Sequence, residues 1–240
     1  MQRALRGSPW LMALAAVQTA AAGSFSVSPI RIELSAAHPV QSLTVHNDEA
    51  TPVLIQLRVA GWTQPDGQDQ YVDTREILST PPVFEVPANG TQIVRVALRR
   101  AADDANELPY RLFLQEVPRP RQQQQPGLTI ALRLSLPVFV AATHPGKPHL
   151  EWRAAQAPDG SLRITARNDG PLHVQVSDFS IRTGSGAGPL HVGESRYVLP
   201  GAQVDWRVTL PAGTTPAAPI TVEAASDQGS ITAQIAAVDH

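Results

Sequence analysis

Between Gly127 and Val140 the chain reads GLTIALRLSLPVFV, and apolar residues recur at every second position: Leu128, Ile130, Leu132, Leu134, Leu136, Val138 and Val140. Thr129, Ala131, Arg133, Ser135, Pro137 and Phe139 stand between them. Successive side chains of a β-strand point to opposite faces, so this run lays an aliphatic row on one face of a strand longer than the usual five or six residues. Such a row needs a cover, which is either a core of the protein's own or a strand added from a partner.

Shorter runs of the same texture precede it. The pattern predicts strands over Ser26 to Ser35, Gln41 to Asn47, Val53 to Trp62, Val83 to Val86, Thr91 to Leu98, Tyr110 to Val117 and Leu128 to Ala141. Turn-forming residues separate them, at Asn47-Asp48, Gln64-Pro65-Asp66-Gly67, Pro87-Ala88-Asn89-Gly90 and between Ala101 and Asn106. Apolar residues nowhere recur at helical spacing, so the expected fold is all-β and this part an immunoglobulin-like sandwich. The texture then turns polar and proline-bearing in ATHPGKPH, which reads as a hinge over residues 143–149. A second set of strands follows: Leu150 to Ala154, Ser161 to Asn168, Leu172 to Ser180, Ser195 to Val198, Gln203 to Leu210, Ile220 to Ala225 and Gly229 to Val238. These predict a second, smaller β-sandwich over residues 150–240, after a first domain over residues 23–142.

Residues 1–22 read differently. Arg3 and Arg6 make a basic start, WLMALAAV is a short apolar stretch, and Ala20, Ala21 and Ala22 form a small-residue cleavage site. That is the signature of a secretory signal, and the apolar stretch is too short to cross a bilayer. The expectation is an exported, soluble mature chain beginning near Gly23, with no membrane insertion. Without Arg3 and Arg6, seventeen basic residues face twenty-one acidic ones, about −4, which argues against nucleic acid or an anionic membrane as partner. Cysteine is absent, so packing alone must stabilise the fold. Lys147 is the single lysine and it lies in the predicted hinge, so any cation fixed within the fold must be an arginine. The insert RPRQQQQP, Arg119 to Pro126, offers no packable face and reads as a loop leading into the long row.

Four stretches carry a resemblance: SVSPIRIEL, LSTPPVFEVPANGTQIVRVALR, YRLFLQEVP and LTIALRLSLPVFV, in that order. Together they are similar to the N-terminal domain of the PapD-like periplasmic chaperones of the chaperone–usher pathway. ITARNDGPLHVQV looks like the early strands of that family's second domain. The YRLFLQE wording and the long proline-bearing run look closest to the archaic, Csu-like branch. The resemblance implies two immunoglobulin-like domains set as a boomerang, with no enzymatic activity and no cofactor. It further implies a 1:1 complex with a pilin subunit in the periplasm, delivered to an outer-membrane usher.

Pilins of this pathway lack one strand, which the chaperone lends from the end of its first domain, a form of β-augmentation. Main-chain hydrogen bonds hold the added strand while alternate side chains fill the subunit's open groove. Each aliphatic side chain so buried contributes about 1.5 to 3 kcal/mol before ordering costs. The resemblance assigns this role to Leu128, Ile130, Leu132 and Leu134, with Leu136 at the margin, and leaves Leu136 to Val140 to the chaperone's own core. An uncovered strand of this kind is also an aggregation liability, which leaves self-association of the free protein open.

The same resemblance implies a cationic anchor for the subunit's C-terminal carboxylate, formed in the family by an arginine and a lysine. Arg31 matches the arginine, but Pro137 stands where the lysine would be. Arg111, on a neighbouring strand, is the expected substitute, because a guanidinium fork holds a carboxylate through two charge-assisted hydrogen bonds. Arg133 alternates with the donors and is the weaker candidate. Arginines in strands also commonly form surface or interdomain salt bridges, with Glu33, Glu116 or Asp178 as candidate partners here. Thr80-Pro81-Pro82 matches a family turn that can carry a cis proline and reads as structural.

Enzymatic alternatives find little support. No nucleophile elbow, zinc-protease helix motif, phosphate loop or dinucleotide fingerprint occurs. Histidines are scattered at 38, 46, 144, 149, 173, 191 and 240, Asp103 and Asp104 sit in a loop, and Met1 and Met12 are the only methionines, so no metal site is expected. The competing reading from another class is a structural β-sandwich subunit or surface-binding module. Such a subunit would carry a donor row at its N-terminus rather than internally.

Overall fold

The computed structural model describes residues 25–103, 105–118, 131–144, 146–184, 188–211, 218–236 and 238–239. The expected signal segment, the glutamine insert, Leu128 and Ile130 lie outside the described residues.

Ten strands come from the first half: β1 (Phe25–Ser28), β2 (Ile32–Leu34), β3 (Val40–Asn47), β4 (Val53–Thr63), β5 (Gln70–Asp73), β6 (Ile77–Thr80), β7 (Val83–Val86), β8 (Thr91–Leu98), β9 (Leu108–Glu116) and β10 (Arg133–Val140). They form two sheets, β1-β3-β8-β6 and β2-β10-β9-β4-β5, with β7 also paired to β4. The second half supplies β11 (Leu150–Gln156), β12 (Leu162–Asn168), β13 (Val174–Arg182), β14 (Leu190–Val192), β15 (Arg196–Val198), β16 (Gln203–Val208), β17 (Ile220–Ser226), β18 (Gly229–Ile235) and β19 (Val238–Asp239). Their sheets are β16-β12-β11-β19 and β14-β13-β17-β18, with β15 added to β13. Pairing is antiparallel except where β2 meets β10 and β19 meets β11. The protein is thus two immunoglobulin-like β-sandwiches, with no α-helix among the described residues.

Each sandwich closes on the inward face of its alternating strands. Val53, Ile55, Leu57 and Val59 of β4 meet Leu112 and Leu114 of β9 and Val138 and Val140 of β10 in the first core. Leu162, Ile164, Phe179, Trp206 and Val222 are central to the second. A repeated turn device marks both. Buried Asn47 donates from its side-chain amide to the carbonyls of Thr51, Val86 and Pro87, and buried Asn168 does so to Leu172 and Val198. A buried amide is tolerated only when so satisfied.

Several expectations need correction. Ser26 to Ser35 is not one strand. The chain leaves β1 at Ser28, passes a cis Ser28–Pro29 bond, and re-enters the opposite sheet as β2. Pro29 has no N–H to donate to a ladder, so the strand stops there and the chain changes sheets. The edge strands β5 and β6 were not legible, because QYVD is exposed at every position and carries no alternation, while β6 is only four residues long. The three-residue β14 was missed for the same reason. Gly229 to Val238 is also two strands, β18 and β19, in different sheets.

A third, smaller apolar cluster of Trp62, Phe139 and Leu199 lies between the sandwiches, with Tyr197 and Ala202 against it. Trp62 and Phe139 sit on the outward faces of β4 and β10, opposite to the residues that fill the first core. A short 3-10 turn at Pro65–Gly67 joins the same contact, where the Arg196 guanidinium donates to the Gly67 carbonyl at 2.8 Å. Gly67 has φ of 72°, and a Cβ there would come within 3.2 Å of the Gln203 carbonyl oxygen, so glycine is favoured on both counts.

Candidate functional site

The parallel pairing of β2 with β10 covers only Val138, Phe139 and Val140. Toward its start β10 has β9 on one side alone, from Arg133↔Gln115 to Pro137↔Arg111. Among the described residues, Arg133 to Pro137 therefore presents one strand edge without a partner strand. The aliphatic row emerges from the core along the same stretch. Val140 and Val138 are fully buried and Leu136 is 6% exposed, whereas Leu134 and Leu132 are only partly buried against the first core. Leu132 remains tied to β9, its carbonyl accepting from the Glu116 N–H at 2.9 Å. In the free chain Leu136 thus lies with the first core, at the border between the filled and the open part of the row.

Arg31 stands immediately before β2, at the point where the open edge ends. Its guanidinium is 27% exposed and reaches across to the second domain: Nη1 pairs with Asp227 Oδ2 at 3.0 Å, and Nη2 donates to Gln175 Oε1 at 3.0 Å and to the Tyr197 hydroxyl at 3.3 Å. Burial pulls its pKa down, but Tyr197 and Asp227 together outweigh this and raise it. The salt-bridge partner is Asp227, not Glu33, Glu116 or Asp178. Ile30 beside it is 74% exposed, and Ile32 and Leu34 are buried in the first core, so the apolar surface next to the guanidinium is that of Phe139 and Tyr197.

Arg111 lies directly across from Pro137 in the β9–β10 ladder. Its inward neighbours Tyr110 and Leu112 fill the core, which turns Arg111 to the outward face. There the guanidinium carbon sits 3.8 Å from the Trp62 ring centroid and 5.4 Å from that of Tyr197. Its Nε is buried with no hydrogen-bond partner among the described residues. Arg111 borders a cavity of about 390 Å³ with Gln64, Asp69 and Tyr197. Asp69 is itself occupied, accepting from Trp62 Nε1, Gln64 Nε2 and the Tyr71 hydroxyl.

The two arginines meet on one aromatic platform. Arg31 lies 5.9 Å from the centroids of both Phe139 and Tyr197, and Tyr197 packs edge-on against Trp62 at 5.3 Å. Guanidiniums held over aromatic faces lose little freedom on meeting an anion. Arg133 stays apart: it is exposed and lies over Phe113, 4.5 Å from its centroid. Thr80–Pro81 is cis, and the Pro82 carbonyl accepts from the Leu57 N–H at 2.8 Å, which ties this turn to β4.

Family comparison decides what the two sandwiches are. The pili and flagellar-assembly chaperone PapD N-terminal domain matches residues 24–144, and the pili assembly chaperone PapD C-terminal domain matches residues 147–236. The chain belongs to the PapD-like pilus assembly chaperones. That is a chaperone family, not an enzyme family. No curated protein sequence matches the chain. Among solved structures it is similar in fold to a chain of the CsuC–CsuE chaperone–tip adhesion subunit pre-assembly complex of Acinetobacter baumannii, at 20% identity and a TM-score of 0.69, covering 91% of this chain and all of that one. It is likewise similar to a chain of the Salmonella enterica SafA pilin–SafB chaperone complex, at 17% identity and a TM-score of 0.62, covering 90% and 99%. The Pseudomonas aeruginosa CupB2 chaperone matches at 20% identity and a TM-score of 0.58, covering 88% and 99%.

Sequence reasoning missed Tyr197, Asp227, Gln175, Glu107 and His173, which come together around Arg31 only through the fold. One signal was available: Trp62, Pro137 and Phe139 interrupt the polar side of their strands, which marks a sheet covered on both faces.

Proposed function

We propose that this protein is a periplasmic chaperone that holds a pilin subunit by lending it the first half of β10. Leu132 and Leu134, continued by Leu128 and Ile130, fill the subunit's open groove, while the main chain of residues 133–137 completes its sheet. Arg31 and Arg111 receive the subunit's terminal carboxylate, Arg111 replacing the lysine that Pro137 displaces. The observation that carries this reading is the position of Arg31 at the end of the open edge. β2 runs parallel to β10 and begins where that edge stops. A strand added in line with β2 and parallel to β10 finishes with its C-terminus at Arg31 and beside Arg111. Two cations at that end select the parallel direction, because only that direction brings the strand's terminal carboxylate to them.

The named complexes among the structural relatives, a chaperone with a tip adhesion subunit and a chaperone with a pilin, support a subunit as partner. Delivery to an outer-membrane usher, export by a signal cleaved near Ala22, domains over residues 23–142 and 150–240, and membership of the archaic branch complete the proposal. A structural subunit is less consistent, since the open row is internal and follows a filled first core.

The test is co-expression of the mature chain with pilin subunits encoded beside it, read by native mass spectrometry. The expected product is a 1:1 complex that is lost when the subunit's C-terminus is extended by a few residues. Capture indifferent to that extension would rule out the carboxylate anchor.

A further inference from the structure

The contact between the domains is centred on a buried histidine. His173, whose side chain is 6% exposed, precedes β13 in the second domain. Its Nδ1 meets Glu107 Oε1 of the first domain, and its Nε2 lies 3.1 Å from Asp227 Oδ2. The backbone braces the same group: the His173 N–H donates to Glu107 Oε1 at 3.3 Å, and the Glu107 N–H donates to the Pro171 carbonyl at 3.0 Å. On its face the imidazole stacks on Phe139 of β10, with centroids 3.6 Å apart and planes within 6°. Tyr197 of β15 packs at 5.6 Å. The titratable and charged groups around the ring are therefore Glu107, Asp227, Tyr197 and, through Asp227, Arg31.

Both ring nitrogens face carboxylate oxygens, which only accept. A neutral imidazole has one N–H, so it would aim a lone pair at one of the two carboxylates; only the imidazolium satisfies both. Asp227 carries the effect onward, because the oxygen that receives His173 also receives Arg31, while its other oxygen accepts the Gln175 N–H at 2.9 Å.

We propose that His173, held as an imidazolium between Glu107 and Asp227, is a positioning residue that pins the two domains together and fixes Arg31 for carboxylate capture, so that its deprotonation releases both. The consequence for capture rests on the reading of Arg31 as an anchor; the pin itself does not. Burial disfavours the charged ring, yet the hydrogen bonds it donates to Asp227 and Glu107 outweigh this and raise its pKa above the ordinary 6.5. A raised folded pKa contributes stability that is complete below the unfolded value and is lost as pH rises through the folded one. Asp227 moves the other way: burial raises its pKa, but His173, the Gln175 N–H and Arg31 lower it further than burial lifts it. Its contribution is present above the unfolded carboxylate value and fades in acid. The pin therefore holds between the lowered carboxylate and the raised imidazole, and opens on the alkaline side.

The experiment follows the mature free protein from pH 5 to 9. Carbon-13-labelled histidine reports the His173 ring, assigned by its loss in His173→Gln, while the Arg31 guanidinium proton signals and small-angle scattering report the contact. The expected result is a His173 midpoint above 6.5, with the Arg31 signals and the scattering curve changing at that same midpoint. Capture of a co-expressed pilin should weaken about tenfold across it. His173→Gln should give the high-pH pattern throughout, and His173→Arg should keep the Arg31 signals at all pH. If His173→Gln does not fold, the loss of the ring signal in His173→Arg assigns it and the wild-type titration decides. A midpoint at or below 6.5, or Arg31 signals and scattering unmoved while His173 titrates, overturns the pin. A pilin captured at no pH overturns the anchor reading instead, and leaves the pin to the ring titration.

Discussion

Leu134 and Val138 stand four residues apart on one face of one strand, yet their surroundings differ. Val138 has β9 on one side and β2 on the other and is fully buried. Leu134 has β9 on one side only and is partly exposed. Alternation fixes the face a residue occupies; it does not fix what covers that face. The cover changes where β2 begins, and the two arginines stand at that boundary.

The contrast predicts that the two halves of the row fail in different ways. Leu136→Ala, inside the filled core, should destabilise the free protein by about 2 to 5 kcal/mol, seen as a lowered urea midpoint at unchanged slope. Leu134→Ala should lower that midpoint much less while sharply reducing pilin recovered in co-purification. Equal stability losses at the two positions would remove the distinction.

At the boundary itself, Arg31→Ala or Arg111→Ala should leave the fold intact and weaken pilin capture by about tenfold to a hundredfold, the range expected for a hydrogen bond to a charged group. Full recovery by both variants would exclude them as anchors. The smallest effect belongs to the other face of the open half. Arg133→Ala, which removes an exposed guanidinium lying over Phe113, should change stability by less than about 0.5 kcal/mol and leave capture unchanged.

Much of this was legible in the chain. The two sandwiches follow from period-two runs and their turns, and the inward rows of β4, β9 and β10 coincide with the first core. What stayed hidden depends on register and on distant contacts. Pro29 marks a break in the first strand, but that Arg31 will sit at the end of an open edge is set by β2 pairing with a strand more than a hundred residues away. Arg111 facing Pro137 is likewise a fact of register. Asp227, Tyr197 and His173 read as ordinary loop and strand residues until two domains bring them against Arg31 and Glu107. The partial clue was chemical inconsistency within a strand: Phe139 and Trp62 are large aromatic residues on the faces that also carry Arg133 and Ser135, and Gln56 and Arg58.

Hydrogen exchange along β10 tests the central claim most directly. In the free protein, backbone amides over residues 131–136 that point to the open edge should exchange readily, whereas those of Val138, Phe139 and Val140 are protected by β9 and β2. In the complex with a co-expressed pilin, the first group should become protected and the second should stay as it was. Residues 131–136 exchanging alike in free and bound protein would contradict the lending of this strand.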